Sequence, residues 1–229
     1  MLPSKRRRKD DLETLGELAE RQEGFFSSSQ AARLGIDRHR LQRMVGQGIL
    51  ERDERGIYRF AAYPHGERAE LWRAVLWPSV KRGEVLGILS RATALSLHGV
   101  STIDPVRIDL AVPSAWRFRR NVPTSYRMHA QDYSSADLTR FHGLPVTTLF
   151  RTIVDLIVAH EEHQFITEAL NAAPRRGILT TRETQRLRAL HAVDPDLLDH
   201  IAGTARRRTE RAESDTKAPR GRRQAGRRD

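Results

Sequence analysis

Between Asp37 and Gly48 the chain reads RHRLQRMVGQ. Stepping about 100° per residue from Leu41 gathers Leu41, Met44 and Val45 on one face of a helix. His39 and Arg43 then point the opposite way, and Arg40, Gln42 and Gln47 flank them. A helix fits the major groove of DNA, where Arg and Gln form paired hydrogen bonds to guanine and adenine edges. Arg38 lies nearer the apolar edge and suits a phosphate. Upstream, Ser27, Ser28 and Ser29 open a short helix whose amides and hydroxyls could also hold phosphate. Downstream, Arg52, Arg55 and Arg59 sit on a short hairpin that would act as a wing. The candidate DNA-contacting residues are therefore Ser28, Arg38, His39, Arg40, Gln42, Arg43 and Arg55. A solvated helical face satisfies the same pattern, and some winged helices bind only protein. The order helix, tight turn, helix, hairpin is what favours DNA. Against it, residues 10–80 hold ten basic and twelve acidic groups, although many of the acids fall on the first helix.

Residues that could catalyse are harder to assemble. His160 and His163 in HEEHQ lack the HExxH spacing of a zinc site and read as a solvated helical turn. Asp194 and Asp196 flank Pro195 and read as a helix start. Ser90, His98 and Asp109 show no spacing that supports a triad; Ser90 is better explained as a helix cap and His98 as the end of a buried helix. No GxGxxG, GxxxxGK or GxSxG motif is present. The paired-aspartate motif of nucleotidyltransferases and the Glu-x-Lys of many nucleases are also missing. Binding, not catalysis, is expected, with no cofactor and no metal.

The elements that must position these groups follow from periodicity. Leu12, Leu15, Leu18 and Ala19 mark a first helix at about 11–22. Ser27 or Ser28 can cap a second helix through Arg33, and Asp37 a third at about 38–47, which Gly48 ends. Ile49–Arg52 and Ile57–Phe60 form the hairpin. An apolar helix or linker with Leu71, Trp72, Val75 and Leu76 ends at Pro78. Beyond it, EVLGIL, VRIDLAVP, PTSYRMHA and HGLPVTT read as strands. SRATALSLHGV and TTLFRTIVDLIVAH read as helices, with two or three more helices from Glu161 to about Arg208. Strands and helices without strict alternation favour α+β.

The fold class is therefore α+β: an N-terminal winged helix-turn-helix, a mixed α+β domain and a disordered basic C-terminal tail. Its parts are a basic disordered arm at 1–9, the winged helix-turn-helix at 10–62, a linker helix at 63–80, the α+β domain at 81–205 and the tail at 206–229.

Charge sharpens this division. The net charge of +11 lies at the ends: residues 5–9 (KRRRK) supply five positive charges and residues 206–229 a net six, leaving residues 10–205 neutral. Such ends attract polyanions without reading sequence, and they also suit a solubilising tail. There is no cysteine, which excludes a disulfide framework and fits a cytoplasmic protein. No apolar run approaches the ~18 residues of a membrane span, and the basic start has no apolar stretch after it, unlike a secretory signal.

Two segments are distinctive: Ser90 to Gly99 (SRATALSLHG) and Gly143 to Leu156 (GLPVTTLFRTIVDL). With RIDLAVP and the winged helix, they make residues 10–190 resemble the AbiEi antitoxin family of type IV bacterial toxin–antitoxin systems. The resemblance implies a winged helix that binds repeats in the promoter of its own operon. It also implies a C-terminal domain that serves antitoxicity, and a neighbouring nucleotidyltransferase toxin as partner. Carried onto this chain, it places DNA contact at Arg38, His39, Arg40, Gln42 and Arg43, with support from Arg55. Two copies could bind an inverted repeat cooperatively. The long basic tail departs from a minimal family member. An orphan winged-helix protein-interaction module, or a general transcriptional regulator without a toxin, is the alternative. Arg151 and Asp155, four apart on one helix, would either form an exposed pair or anchor the preceding hairpin to that helix.

Overall fold

A computed structural model of the chain describes residues 5–64, 66–78, 87–117 and 121–192. Helix α1 (Lys5–Glu20) leads into strand β1 (Phe25–Ser27), helix α2 (Ser28–Arg33) and helix α3 (Arg38–Gly46). Strands β2 (Leu50–Glu54) and β3 (Ile57–Phe60) form the hairpin, and helix α4 (Ala69–Leu76) follows. The second half contains β4 (Ile88–Leu89), α5 (Arg91–His98), β5 (Ile108–Val112), β6 (Tyr126–Ala130), β7 (Leu138–Phe141) and β8 (Leu144–Thr147). Helices α6 (Leu149–Val158), α7 (His163–Arg175) and α8 (Thr181–His191) close the described chain. The architecture is mixed α+β, as expected, and the N-terminal part is a winged helix-turn-helix.

Local chemistry sets the N-terminal elements. Ser27 Oγ accepts from the Gln30 amide at 3.1 Å while the Ser27 amide donates to Gln30 Oε1 at 2.8 Å, a capping box that starts α2. Asp37 Oδ1 accepts from the Arg40 amide at 2.8 Å and starts α3. Gly48, at φ +71°, lets the chain leave α3 with the Ile49 amide donating back to the Met44 carbonyl at 3.0 Å.

Four expectations need correction. Helix α1 begins at Lys5, so residues 5–9 are not a disordered arm; lysine and arginine are good helix formers, and neither Gly nor Pro interrupts residues 5–15. No strand was expected before Ser27, yet Phe25 and Phe26 lie on β1, which pairs antiparallel with β3 to make the sheet order β1-β3-β2. β7 was not expected at all; its sequence, LTRF, gives only two apolar positions, and its pairing with β8 defines it. Ser90 stands at the N-cap of α5, but its hydroxyl makes no capping bond. Residues 1–4, the basic tail at 206–229 and the Asp194–Asp196 motif lie outside the described residues.

Successive residues of a strand face opposite sides of a sheet, and β1 uses both. Phe26 packs with Leu15, Ala31, Ile36, Leu41 and Leu50 in the core of the winged helix. Phe25 and Ile57 pack the other way, against Trp72, Val75 and Leu76 of α4 and, beyond them, Leu89, Leu110 and Val146 of the second sheet. That sheet has the order β6-β5-β4-β8-β7, parallel at β5–β6 and β4–β8 and antiparallel at β4–β5 and β7–β8. Its far face carries α5 to α8 around Leu95, Ile153, Leu156, Leu170 and Leu187. The N-terminal sheet, α4, the second sheet and α5 to α8 therefore form successive layers.

Both phenylalanines are fully buried. Phe25→Ala and Phe26→Ala should each lower the unfolding free energy by about 3–5 kcal/mol in urea denaturation. A loss below about 1 kcal/mol for Phe25→Ala would contradict its place in the layer between the two sheets.

Candidate nucleic-acid interface

On α3, Leu41 and Met44 are buried and Val45 is half-buried, so the apolar underside faces the core as its spacing requires. Arg38, His39, Gln42, Arg43 and Gln47 are exposed on the rest of the helix. These five side chains form a continuous polar surface over about two turns.

Arg40 departs from that group. It is half-buried, forms an ion pair with Asp11 on α1, and donates from Nη1 to the Gly35 carbonyl at 3.4 Å. Its guanidinium holds the start of α3 against α1. Ser28 is half-buried, and its amide already donates to the Gly56 carbonyl at 2.8 Å, tying the start of α2 to the hairpin turn.

The hairpin divides its arginines in the same way. Arg52 and Arg55 are exposed on β2 and at the turn. Arg59 is buried, contrary to its reading as a wing residue: Nη1 donates to the Tyr63 carbonyl at 2.6 Å and Nη2 to Glu51 Oε2 at 2.5 Å. Period-two alternation on β3 puts Ile57 and Arg59 on one face, which α4 and the chain after β3 cover. A bulge between Arg52 and Glu54 shifts the register of β2 and strengthens its twist. At this bulge Asp53 accepts two bonds from Arg73 of α4, at 2.5 Å from Nε and 3.0 Å from Nη2. The hydrogen bond to Asp53 raises the already high affinity of the Arg73 guanidinium for its proton. Sequence reasoning missed this clamp because its partners are twenty residues apart with no shared period.

The residues weighed for a triad are not assembled: Ser90 and Asp109 are neighbours, with the Ser90 amide donating to the Asp109 carbonyl at 3.1 Å, but His98 is engaged elsewhere. His98 Nε2 donates to the Thr147 carbonyl at 2.8 Å, and burial pushes its imidazole towards the neutral form. Asp109 instead accepts from His129 Nε2 at 2.8 Å. His163 pairs with His191, Nδ1 to Nε2 at 3.2 Å. Among the described residues no group of three or more His, Cys, Asp or Glu is placed to hold a metal ion. Arg151 and Asp155 form the anchor and not an exposed pair. Arg151 Nε donates to Asp155 Oδ1 at 2.9 Å, and the Tyr133 hydroxyl donates to Asp155 Oδ2 at 2.7 Å. Burial raises the Asp155 carboxyl despite these two donors. The loop before β7 is thereby fixed to α6.

Comparison with known proteins bears on the helix-turn-helix. Residues 13–61 match the AbiEi_4 family, described as "Transcriptional regulator, AbiEi antitoxin". The match runs from within α1 to the end of β3 and so contains every candidate contact residue. Among solved structures the chain is similar to the crystal structure of the RV2827C protein from Mycobacterium tuberculosis. The identity is 14%, over 79% of this chain and 81% of that one, with a TM-score of 0.42. No curated protein matches. No helix among the described residues is long and apolar enough to cross a membrane.

Exposed and buried arginines should separate in stability measurements. Arg43→Ala should change the unfolding free energy by no more than about 0.5 kcal/mol. Arg59→Ala should cost about 1–3 kcal/mol, because it leaves the Tyr63 carbonyl without its charged donor. Thermal unfolding monitored by circular dichroism checks both.

Proposed function

We propose that this protein is a cytoplasmic DNA-binding antitoxin and transcriptional autorepressor of a type IV toxin–antitoxin operon. The observation that carries the reading is the exposed surface of Arg38, His39, Gln42, Arg43 and Gln47 on α3, within a segment that matches AbiEi antitoxin regulators. In this reading α3 enters the major groove of double-stranded DNA at the protein's own promoter. Arg43 and Gln42 read base edges. Arg38 and His39, at the start of the helix, meet phosphate and the groove wall. Arg55, at the hairpin turn, approaches the backbone as the wing. Arg40 and Ser28 take part by holding α3 and α2 in place. The basic ends add affinity without sequence preference.

The α+β part that follows α4, residues 81–205 in this reading, counteracts a nucleotidyltransferase toxin. The chain itself is a binding protein and not an enzyme. Two copies on an inverted repeat would have half-sites about 10 bp apart, or a multiple of that spacing.

Fluorescence anisotropy on DNA from upstream of the gene, with a shuffled duplex as control, tests the reading. A preference of about a thousandfold or more that survives physiological salt is expected. Equal, weak binding that collapses between about 50 and about 200 mM salt would leave only the basic ends as DNA contacts. The winged helix would then be a protein-binding module. Arg43→Ala should cost about 1–3 kcal/mol on the preferred duplex and far less on the shuffled one. Equal losses on both would reassign Arg43 to phosphate.

A further inference from the structure

Two histidines with no part in the DNA reading come together across the fold. His163 opens α7 and His191 closes α8. The connection between the helices is only a few residues long, so α8 runs back along α7 and its last turn meets the first turn of α7. There His163 Nδ1 and His191 Nε2 are 3.2 Å apart. The ring centroids stand 5.4 Å apart, so each ring turns a nitrogen towards the other. The backbones that carry the rings are well held. Ile166, Leu170 and Leu187 lie buried in one core between the helices. Arg188 of α8 donates from Nη2 to the Leu170 carbonyl at 3.2 Å and to Asn171 Oδ1 at 3.0 Å, both on α7. Thr167 Oγ1 donates to the His163 carbonyl at 3.0 Å and secures the first turn of α7.

Two ring nitrogens at this distance either share one proton or coordinate one ion. As a hydrogen bond, 3.2 Å is at the long end of the usual range. As a metal site it is close to ideal. Zinc–nitrogen bonds of about 2.0–2.1 Å at a tetrahedral angle put two ligand nitrogens ~3.3 Å apart. Burial and the neighbouring His163 push the His191 imidazole towards its neutral form, the form that offers a lone pair to a metal. His163 is exposed and His191 half-buried, so a hydrated ion reaches both nitrogens without opening the core. Among the described residues no third His, Cys, Asp or Glu joins the pair, so water fills the remaining positions. Imidazole nitrogen suits Zn²⁺, Cu²⁺ and Ni²⁺, whereas Mg²⁺ and Ca²⁺ take oxygen.

We propose that His163 and His191 form a two-histidine site for a late first-row divalent transition metal such as Zn²⁺, which bridges the start of α7 to the end of α8. The ion replaces the hydrogen bond between the rings and takes a lone pair from His163 Nδ1 and one from His191 Nε2. The opposite nitrogens, His163 Nε2 and His191 Nδ1, keep their protons. The site lies in the layer of α5 to α8, apart from α3, and stands independently of any contact with DNA.

Isothermal titration calorimetry of the full chain with zinc chloride tests this, with magnesium chloride as control. One Zn²⁺ should bind per chain, and Mg²⁺ should not. His163→Asn and His191→Asn should each weaken Zn²⁺ binding by about tenfold or more, since each removes one of two protein ligands. Zn²⁺ should raise the melting temperature of the wild type, and both variants should lose that rise. Neither side chain fills a core, so without metal the melting temperature of each variant should stay within about 2 °C of the wild type. Nitrogen-15 spectra of the histidine rings should show the zinc-dependent shift at Nδ1 of His163 and at Nε2 of His191. Three results would overturn the assignment. The first is no Zn²⁺ binding by the wild type, which would leave the pair an ordinary hydrogen bond. The second is equal binding by the wild type and both variants, which would place the ion on other histidines. The third is binding that only one of the two variants weakens, which would remove the bridge.

Discussion

The structure depends on a sheet that is buried on both faces. A three-stranded sheet of a winged helix needs only one apolar face to close its own core. Here β1 presents Phe26 to that core and Phe25 to α4, and β3 adds Tyr58 and Ile57 in the same opposed sense. The helix-turn-helix is therefore one outer layer of a stack, not a bead on a linker. The position of α3 follows from this. Leu41 and Met44 fix its underside, Asp37 fixes its start, and Arg40 ties that start to α1. The remaining surface is what the helix has to offer a partner.

The arginines of the N-terminal half are thus two populations. Arg40, Arg59 and Arg73 hold α1, the end of the hairpin and the bulge of β2 in place. Arg38, Arg43 and Arg52 are exposed. A guanidinium bound to a carbonyl or a carboxylate in a half-buried site is a structural strut, and its replacement changes geometry before it changes charge. Counting basic residues along the chain overstates the cationic surface for this reason. Three of the twelve acidic groups of residues 10–80 are absorbed the same way, since Asp11, Glu51 and Asp53 are the partners of these struts.

Periodicity made the helices and the hairpin legible, because each has an apolar stripe that repeats at its own period. The caps at Ser27 and Asp37 were legible because they act over three residues. What was hidden depends on pairing across the fold. β1 is three residues long and becomes a strand only because β3 lies beside it. Arg59 and Arg55 are alike in sequence, and burial separates them. Ser90 matches the cap pattern, yet its hydroxyl makes no capping bond. The ion pairs of Arg91 and Arg127 with Glu161 join three elements that only the second sheet and the α6–α7 loop bring together. The Arg151–Asp155 pair was half legible: its spacing gave the contact, but Tyr133, which makes it an anchor, comes from a loop.

The charge distribution places a condition on how DNA would be recognised. Residues 10–205 carry no net charge and add no net attraction for a duplex, whereas residues 5–9, on α1, carry five positive charges. In the proposed reading long-range attraction would come from residues 5–9 and 206–229, and counterion release on phosphate binding scales with the number of cations engaged. Discrimination between sequences needs side chains against base edges, and in the proposed reading these would be the few exposed groups of α3. In that reading affinity and specificity are separated along the chain. Salt should act on the first through the basic ends, and geometry on the second through a helix whose orientation is set by Asp37, Arg40 and the doubly buried sheet. A change in the core beneath α3 would alter which sequence is preferred while leaving the salt dependence nearly as it was, and a change in the ends would do the reverse.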